Sequence, residues 1–313
     1  MVQNATTSNA ATAIFMADLA KWGPDQPPSA CDLAFAERHC RLIARNHYEN
    51  FTVVSWFLPR ELRQDFMNFY AYCRWSDDIA DEVEEHRRLP LLNWWQQQLA
   101  LCFSGRPAHP VMVALQSTIQ RHQLPIEPLV DLLSAFRQDQ TTLRYSDHQQ
   151  LLDYCRCSAN PVGRVILRFG RADGEENLKL SDSICSGLQI ANFCQDMARD
   201  AAIGRIYAPR DLWSKHGVDE AMLMAARCTP QLQSLLREWT STARECFASG
   251  ASLVKSVPSW LAVDVDLFLR GGMAILDAIE SQGFDVWTNR PTLSKLTKFK
   301  LLVQAFKSRF IGL

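Results

Sequence analysis

Residues 69–82 read Phe69-Tyr-Ala-Tyr-Cys-Arg-Trp-Ser-Asp-Asp-Ile-Ala-Asp-Glu82. Tyr70, Arg74, Asp77 and Asp81 fall at steps of four, three and four, which places them on one stripe of an α-helix. Asp78 sits beside that stripe. Like charges one turn apart cost about 0.2–0.5 kcal/mol per pair without a counterion. Here they also displace apolar residues from a helix whose other positions suit a core. A second stretch, Asn192-Phe-Cys-Gln-Asp-Met-Ala-Arg-Asp200, repeats the arrangement. Asn192, Asp196 and Asp200 are four apart, Gln189 extends their stripe by a turn, and Ile184, Leu188, Ile190 and Phe193 flank it.

Outward from these two segments the pattern stays helical. Apolar residues recur at three and four spacings, and Pro and Gly divide the runs. Helices are predicted from Pro59 to about Glu85, from Pro90 onward, and over 110–121 and 126–138. Others follow over 147–170 with Pro161 inside, 176–202, 231–255, 259–282 and 293–310. Residues 1–30, rich in Asn, Ala and Thr and then broken by Gly23-Pro24-Asp25-Gln26-Pro27-Pro28, read as a flexible N-terminal tail. The remainder, 31–313, reads as one all-α domain packed as a helical bundle. No alternating β-branched run, dinucleotide fingerprint or P-loop occurs.

Of the 313 residues 47% are hydrophobic and 21% charged, enough for a large core and too apolar for global disorder. A net charge of −1 gives no basic excess for nucleic acid. The ten cysteines lack a Cys-x-x-Cys pair and mostly sit in apolar helical patterns, so they read as reduced core residues of a cytoplasmic protein. No secretory signal and no membrane-spanning run is seen.

Carboxylate and amide oxygens are hard ligands that suit Mg²⁺, which commonly bridges to substrate phosphates. Two such stripes facing each other across a bundle would hold Mg²⁺, bind a diphosphate and draw it off as a leaving group, with Arg74 neutralising it. The plainer alternative is two solvated acidic faces.

The motifs at Tyr70–Asp81 and Asn192–Asp200 resemble those of the head-to-head prenyl synthases, the squalene and phytoene synthase family. Gly204-Arg205-Ile206-Tyr207-Ala208-Pro209 is similar to the loop after the family's second motif. Tyr154-Cys-Arg-Cys-Ser-Ala-Asn-Pro-Val-Gly163 is similar to another of its helices. The resemblance implies a helical bundle of the class I isoprenoid synthase type with a central hydrophobic cavity. It implies Mg²⁺ as cofactor, with Asp77, Asp78, Asp81, Asn192, Asp196 and Asp200 as metal ligands. Tyr70, Arg74 and Gln189 then surround the diphosphate, with Arg205 and Tyr207 as further substrate contacts and Tyr154 near the reacting carbons; Arg290, in the basic C-terminal stretch, is a further candidate to reach the diphosphate.

Four departures mark a branch: His47-Tyr-Glu-Asn-Phe51, Asn160-Pro161, Arg270-Gly271-Gly272-Met273, and Gln195 in place of a basic residue. The first three look like the bacterial hydroxysqualene synthases of hopanoid biosynthesis. That resemblance implies a lyase reaction. Presqualene diphosphate ionises, the cation rearranges, and water captures it as hydroxysqualene. It also implies functional links to a presqualene diphosphate synthase and a squalene-forming reductase. Presqualene diphosphate synthase and one-step squalene synthase share every metal residue and remain open.

Water capture needs one ordered water held by polar groups in an apolar cavity. Glu49, His47 and Asn160 are the candidates; Asn50 and Phe51 are assigned to substrate binding, with Phe57, Phe66 and Phe69 as further cavity walls. The alternative has His47 and Asn50 binding diphosphate only, and Asn160 capping a kink at Pro161. Trp94 and Trp95 point about 100° apart, so core packing suits at least one of them. Residues 286–313 carry six basic residues and no acidic ones. They read as a basic amphipathic helix that either contacts anionic lipid peripherally or packs on the bundle.

Overall fold

A computed structural model describes residues 2–27, 29–46, 58–225 and 227–310. Among them the fold is all-α; the only extended pairing is an isolated bridge between Arg144 and Ile206. The chain groups into two compact units, Met1–Thr141 and Thr142–Leu313.

The first unit contains α1 (Val2–Trp22), α2 (Leu33–Asn46), α3 (Arg63–Asp81), α4 (Glu85–Phe103), α5 (Pro110–His122) and α6 (Glu127–Gln138). The expected tail is therefore a helix over most of its length. Phe15, Leu19 and Trp22 stand at steps of four and three, and Phe15 and Leu19 are buried. Thr12 donates to Glu82 at 2.6 Å, and Asp18 meets His39 at 2.9 Å. The Asn-, Ala- and Thr-rich residues ahead of these anchors mask the stripe.

Helix α3 carries the first acidic motif and is fastened at several points. Near its start Asp65, 1% exposed, accepts from Thr118, Arg121 and His122 of α5. In its middle the Tyr72 hydroxyl donates to the Leu129 carbonyl of α6 at 2.7 Å. Ser76 accepts from the Trp95 indole of α4 at 3.0 Å. Trp95 is fully buried and stacks on Trp75 at 5.0 Å, so it is a core residue. The helix ends at Asp81, not Glu85, and a 3-10 turn at Arg60–Leu62 precedes it. Helix α4 begins at Glu85, leaving Pro90 inside it. The carbonyl that Pro90 cannot bond belongs to His86, whose side chain is 77% exposed, so that turn lies at the surface.

The second unit contains α7 (His148–Ser158), α8 (Asn160–Phe169), α9 (Glu175–Ala202), α10 (Arg210–Lys215), α11 (Glu220–Met224), α12 (Pro230–Gly250), α13 (Leu253–Ser256), α14 (Ser259–Ser281) and α15 (Lys295–Phe310). The single kinked helix expected around Pro161 is two helices. Pro161 lies in the first turn of α8, where its missing N–H is one the helix start leaves unpaired anyway. Helix α9, which carries the second acidic motif, packs against α8, α12 and α14. Glycines allow the close approach. A Cβ on Gly187 would lie 2.9 Å from the Phe247 ring, and one on Gly272 would lie 2.4 Å from it. Gly272 thus makes room for Phe247.

Candidate functional site

In the first unit, the face of α3 bearing Tyr70, Arg74, Asp77 and Asp81 is its least buried one, while Phe66, Phe69, Trp75 and Ile79 fill the core. Phe66 and Phe69 are both buried. Arg74 reaches Asp77 at 3.0 Å and also bonds Asp78. Asp78 is 4% exposed, so its carboxylate serves mainly to hold Arg74 in place. Burial pushes Asp78 up to about 7 against the pull of Arg74. Asp77 rises to about 6 although 41% of its side chain is exposed. The packed helix face strips water from its carboxyl, Arg74 opposes the shift, and Asp81, Glu82 and Asp139 add repulsion. Burial raises Tyr70 to about 12, so its hydroxyl stays a donor.

In the second unit, Gln189, Asn192, Asp196 and Asp200 occupy the open face of α9, opposite buried Ile190, Phe193, Cys194 and Met197. Asn192 donates to Asp196 at 3.1 Å. Arg290 grips Asp196 with two nitrogens, its Nη2 donating to Oδ2 at 2.9 Å and its Nε to Oδ1. Next to it, buried Gln195 donates to the Pro291 carbonyl at 2.6 Å. Two neighbouring residues of α9 thus fix the 290–291 segment. Gln195 was legible only as a departure from a family pattern, without a role.

The loop after α9 is equally pinned. Gly204 takes φ +81, and Ile206 N–H bonds the Leu143 carbonyl at 3.1 Å. Arg144 caps the Gly204 carbonyl at 2.6 Å. This seats Tyr207, 9% exposed, flat on Phe193 with centroids 3.9 Å apart. Tyr154, also buried, lies 5.7 Å from Tyr207 and 5.5 Å from Tyr145. Asn160 does not cap α8. It is buried and accepts from Ser186 of α9 at 3.1 Å. Arg205 lies half-buried in the pinned loop. His47, Glu49, Asn50, Phe51 and Phe57 lie outside the described residues.

The donor set on the two stripes is all oxygen and hard, which suits Mg²⁺. Among the described residues no three acidic, His or Cys side chains are already gathered to hold a metal. Asp77 and Asp196 are instead held by arginines. The groups fit the ion chemically.

The chain is all-α and carries two Asp-rich stripes, each paired to an arginine, a donor set whose chemistry suits binding a diphosphate through a hard cation. The chain belongs to the squalene/phytoene synthase family, whose pattern matches residues 44–297. It is 33% identical to a hydroxysqualene synthase of Sinorhizobium fredii over 231 residues, 73% of this chain and 78% of that protein. It is 32% identical to one of Rhodopseudomonas palustris, over 68% of this chain and 72% of that protein. Among solved structures, squalene synthase HpnC from Alicyclobacillus acidocaldarius is similar, with 40% identity and TM-score 0.78 over 80% of this chain and 95% of that one. A dehydrosqualene synthase at 22% identity and TM-score 0.77 shares the fold. Among the described residues no helix is long and apolar enough to cross a membrane.

Proposed function

We propose that this enzyme converts presqualene diphosphate and water to hydroxysqualene and diphosphate, a carbon–oxygen lyase reaction of squalene and hopanoid biosynthesis. The observation that carries this reading is the pairing of each oxygen-rich stripe with an arginine, in a chain whose relatives include hydroxysqualene synthases. Mg²⁺, when bound by Asp77, Asp81, Asn192, Asp196 and Asp200, would supply positive charge to the departing diphosphate. Arg74 and Arg290 would donate to its oxygens, bidentate recognition for which guanidinium is suited. Tyr70 and Gln189, on the same faces, would add neutral donors.

Breaking the carbon–oxygen bond leaves a cyclopropylcarbinyl cation. Within the buried cluster of Tyr154, Tyr207 and Phe193, Tyr154 is the ring suited to stabilise such a cation, because Tyr207 and Phe193 cover each other's faces. Ring opening then moves the charge, a water oxygen attacks, and the water gives up one proton. Asn160 and Ser186 form a buried polar pair suited to orient that water; their mutual bond leaves amide N–H groups and hydroxyl lone pairs for it. Glu49 and His47 remain candidates for taking the proton.

The name of the 40% identical neighbour favours a second reading, one-step squalene formation from farnesyl diphosphate. Product analysis by mass spectrometry separates the two. Purified enzyme with Mg²⁺ and without NADPH is expected to turn presqualene diphosphate into the alcohol and leave farnesyl diphosphate untouched. Consumption of farnesyl diphosphate would overturn the assignment.

A further inference from the structure

Helix α15, Lys295–Phe310, carries Lys295, Lys298, Lys300, Lys307 and Arg309 and no acidic residue. Its inner side packs on α14 and buries Ala305 completely. Its first turns do not follow the usual rule for a packed helix. Leu296 is 63% exposed and Phe299 62%. Three residues apart, they stand together on one face, with half-buried Val303 a turn further on. Helical register places Lys295 on one side of that face and Lys300 on the other, and Lys298 lies beyond Lys295; all three are exposed.

A single exposed Leu calls for no explanation. A Leu–Phe pair fringed by three lysines, on a turn without a carboxylate, is the composition of a helix that lies in a bilayer surface. We propose that this face of α15 docks on an anionic phospholipid membrane. Leu296 and Phe299 enter the acyl boundary, and the lysines extend their stems along the apolar surface to place ammonium groups at the phosphates. The charges argue against a second copy of the chain as occupant. A two-fold interface sets the same patch against itself, so lysine would face lysine with no acid between.

The test is co-sedimentation of the full chain with vesicles of phosphatidylcholine alone or mixed with phosphatidylglycerol, at low and high salt. The expected result is binding to the mixed vesicles at low salt, weakened by salt, and little binding to phosphatidylcholine. Replacing the exposed lysines together (Lys295→Gln, Lys298→Gln, Lys300→Gln) should lower partitioning on the order of a hundredfold. Leu296→Ser with Phe299→Ser should lower it on the order of a hundredfold and make the remainder fully salt-reversible. Circular dichroism checks that each variant keeps the wild-type helix content. Absence of binding, equal binding to both vesicle types, or variants that bind like wild type would overturn the proposal. So would self-association, seen by light scattering and lost in the Leu296→Ser, Phe299→Ser variant, in place of vesicle binding.

Discussion

Arg290 and Gln195 fasten the same few residues to α9, one through a charge pair and the other through a carbonyl. Gln195→Leu would leave the Pro291 carbonyl buried without a donor, a loss of about 1–3 kcal/mol. Arg290 would then lose its fixed position. The expected kinetic outcome is a KM for the prenyl diphosphate raised roughly tenfold, with a smaller change in kcat. A fall in kcat at constant KM would contradict that role. A second residue-scale prediction concerns Asp264, 2% exposed, with neither carboxylate oxygen hydrogen-bonded among the described residues. Burial pushes its carboxyl up to about 8. A carboxyl that keeps its proton longer when folded has a flat effect on stability below the unfolded value of 3.8. It destabilises progressively as pH rises to about 8, and is flat again above. Asp264→Asn cannot ionise and is expected to melt higher than wild type, by a margin that widens between about pH 5 and about pH 8. Thermal unfolding across that range checks it.

Neighbouring glycines separate packing from propensity at the scale of the helices. A Cβ on Gly272 would strike the Phe247 ring, whereas one on Gly271 meets nothing within 4 Å. Gly272→Ala is therefore expected to destabilise by about 1–3 kcal/mol. Gly271→Ala, in the same helix, should stabilise by about 0.5–1 kcal/mol through helix propensity. Chemical denaturation of the two variants should move in opposite directions. Local features of this kind were the legible part of the sequence. Tyr70 to Asp81 lie within three turns, and α9 ends within a residue or two of where its periodicity stops. Boundaries at proline were less legible, because Pro90 inside α4 and Pro161 opening α8 differ in their surroundings, not in their spacing. Helix α1 is hard to read from sequence because Phe15, Leu19 and Trp22 are all large apolar residues of one short stretch at its end.

Across the whole molecule, the contacts that complete the candidate site are long-range. Arg290 and Asp196 are 94 positions apart, and Gln195 and Pro291 are 96 apart, so no local spacing encodes them. On each unit the acidic stripe would repel a free diphosphate, and a lone cation would compete with Arg74 for Asp77 and with Arg290 for Asp196. Mg²⁺ and inorganic diphosphate together are therefore expected to raise the melting temperature, while either alone raises it little. At a hundredfold excess over Kd the joint gain is about 2.7 kcal/mol, and a chelator should reverse it. Calorimetry with each component singly and combined decides this. The packing of the first unit has one more consequence, an optical one. Trp75 and Trp95 stack at 5.0 Å with planes 20° apart, and Trp94 lies 5.7 Å from Trp95. Indoles this close share excitation, so they should give a paired-sign exciton band in circular dichroism and a depolarised emission. The exciton band vanishes as soon as the rings part, so the first unit carries its own label-free reporter of unfolding.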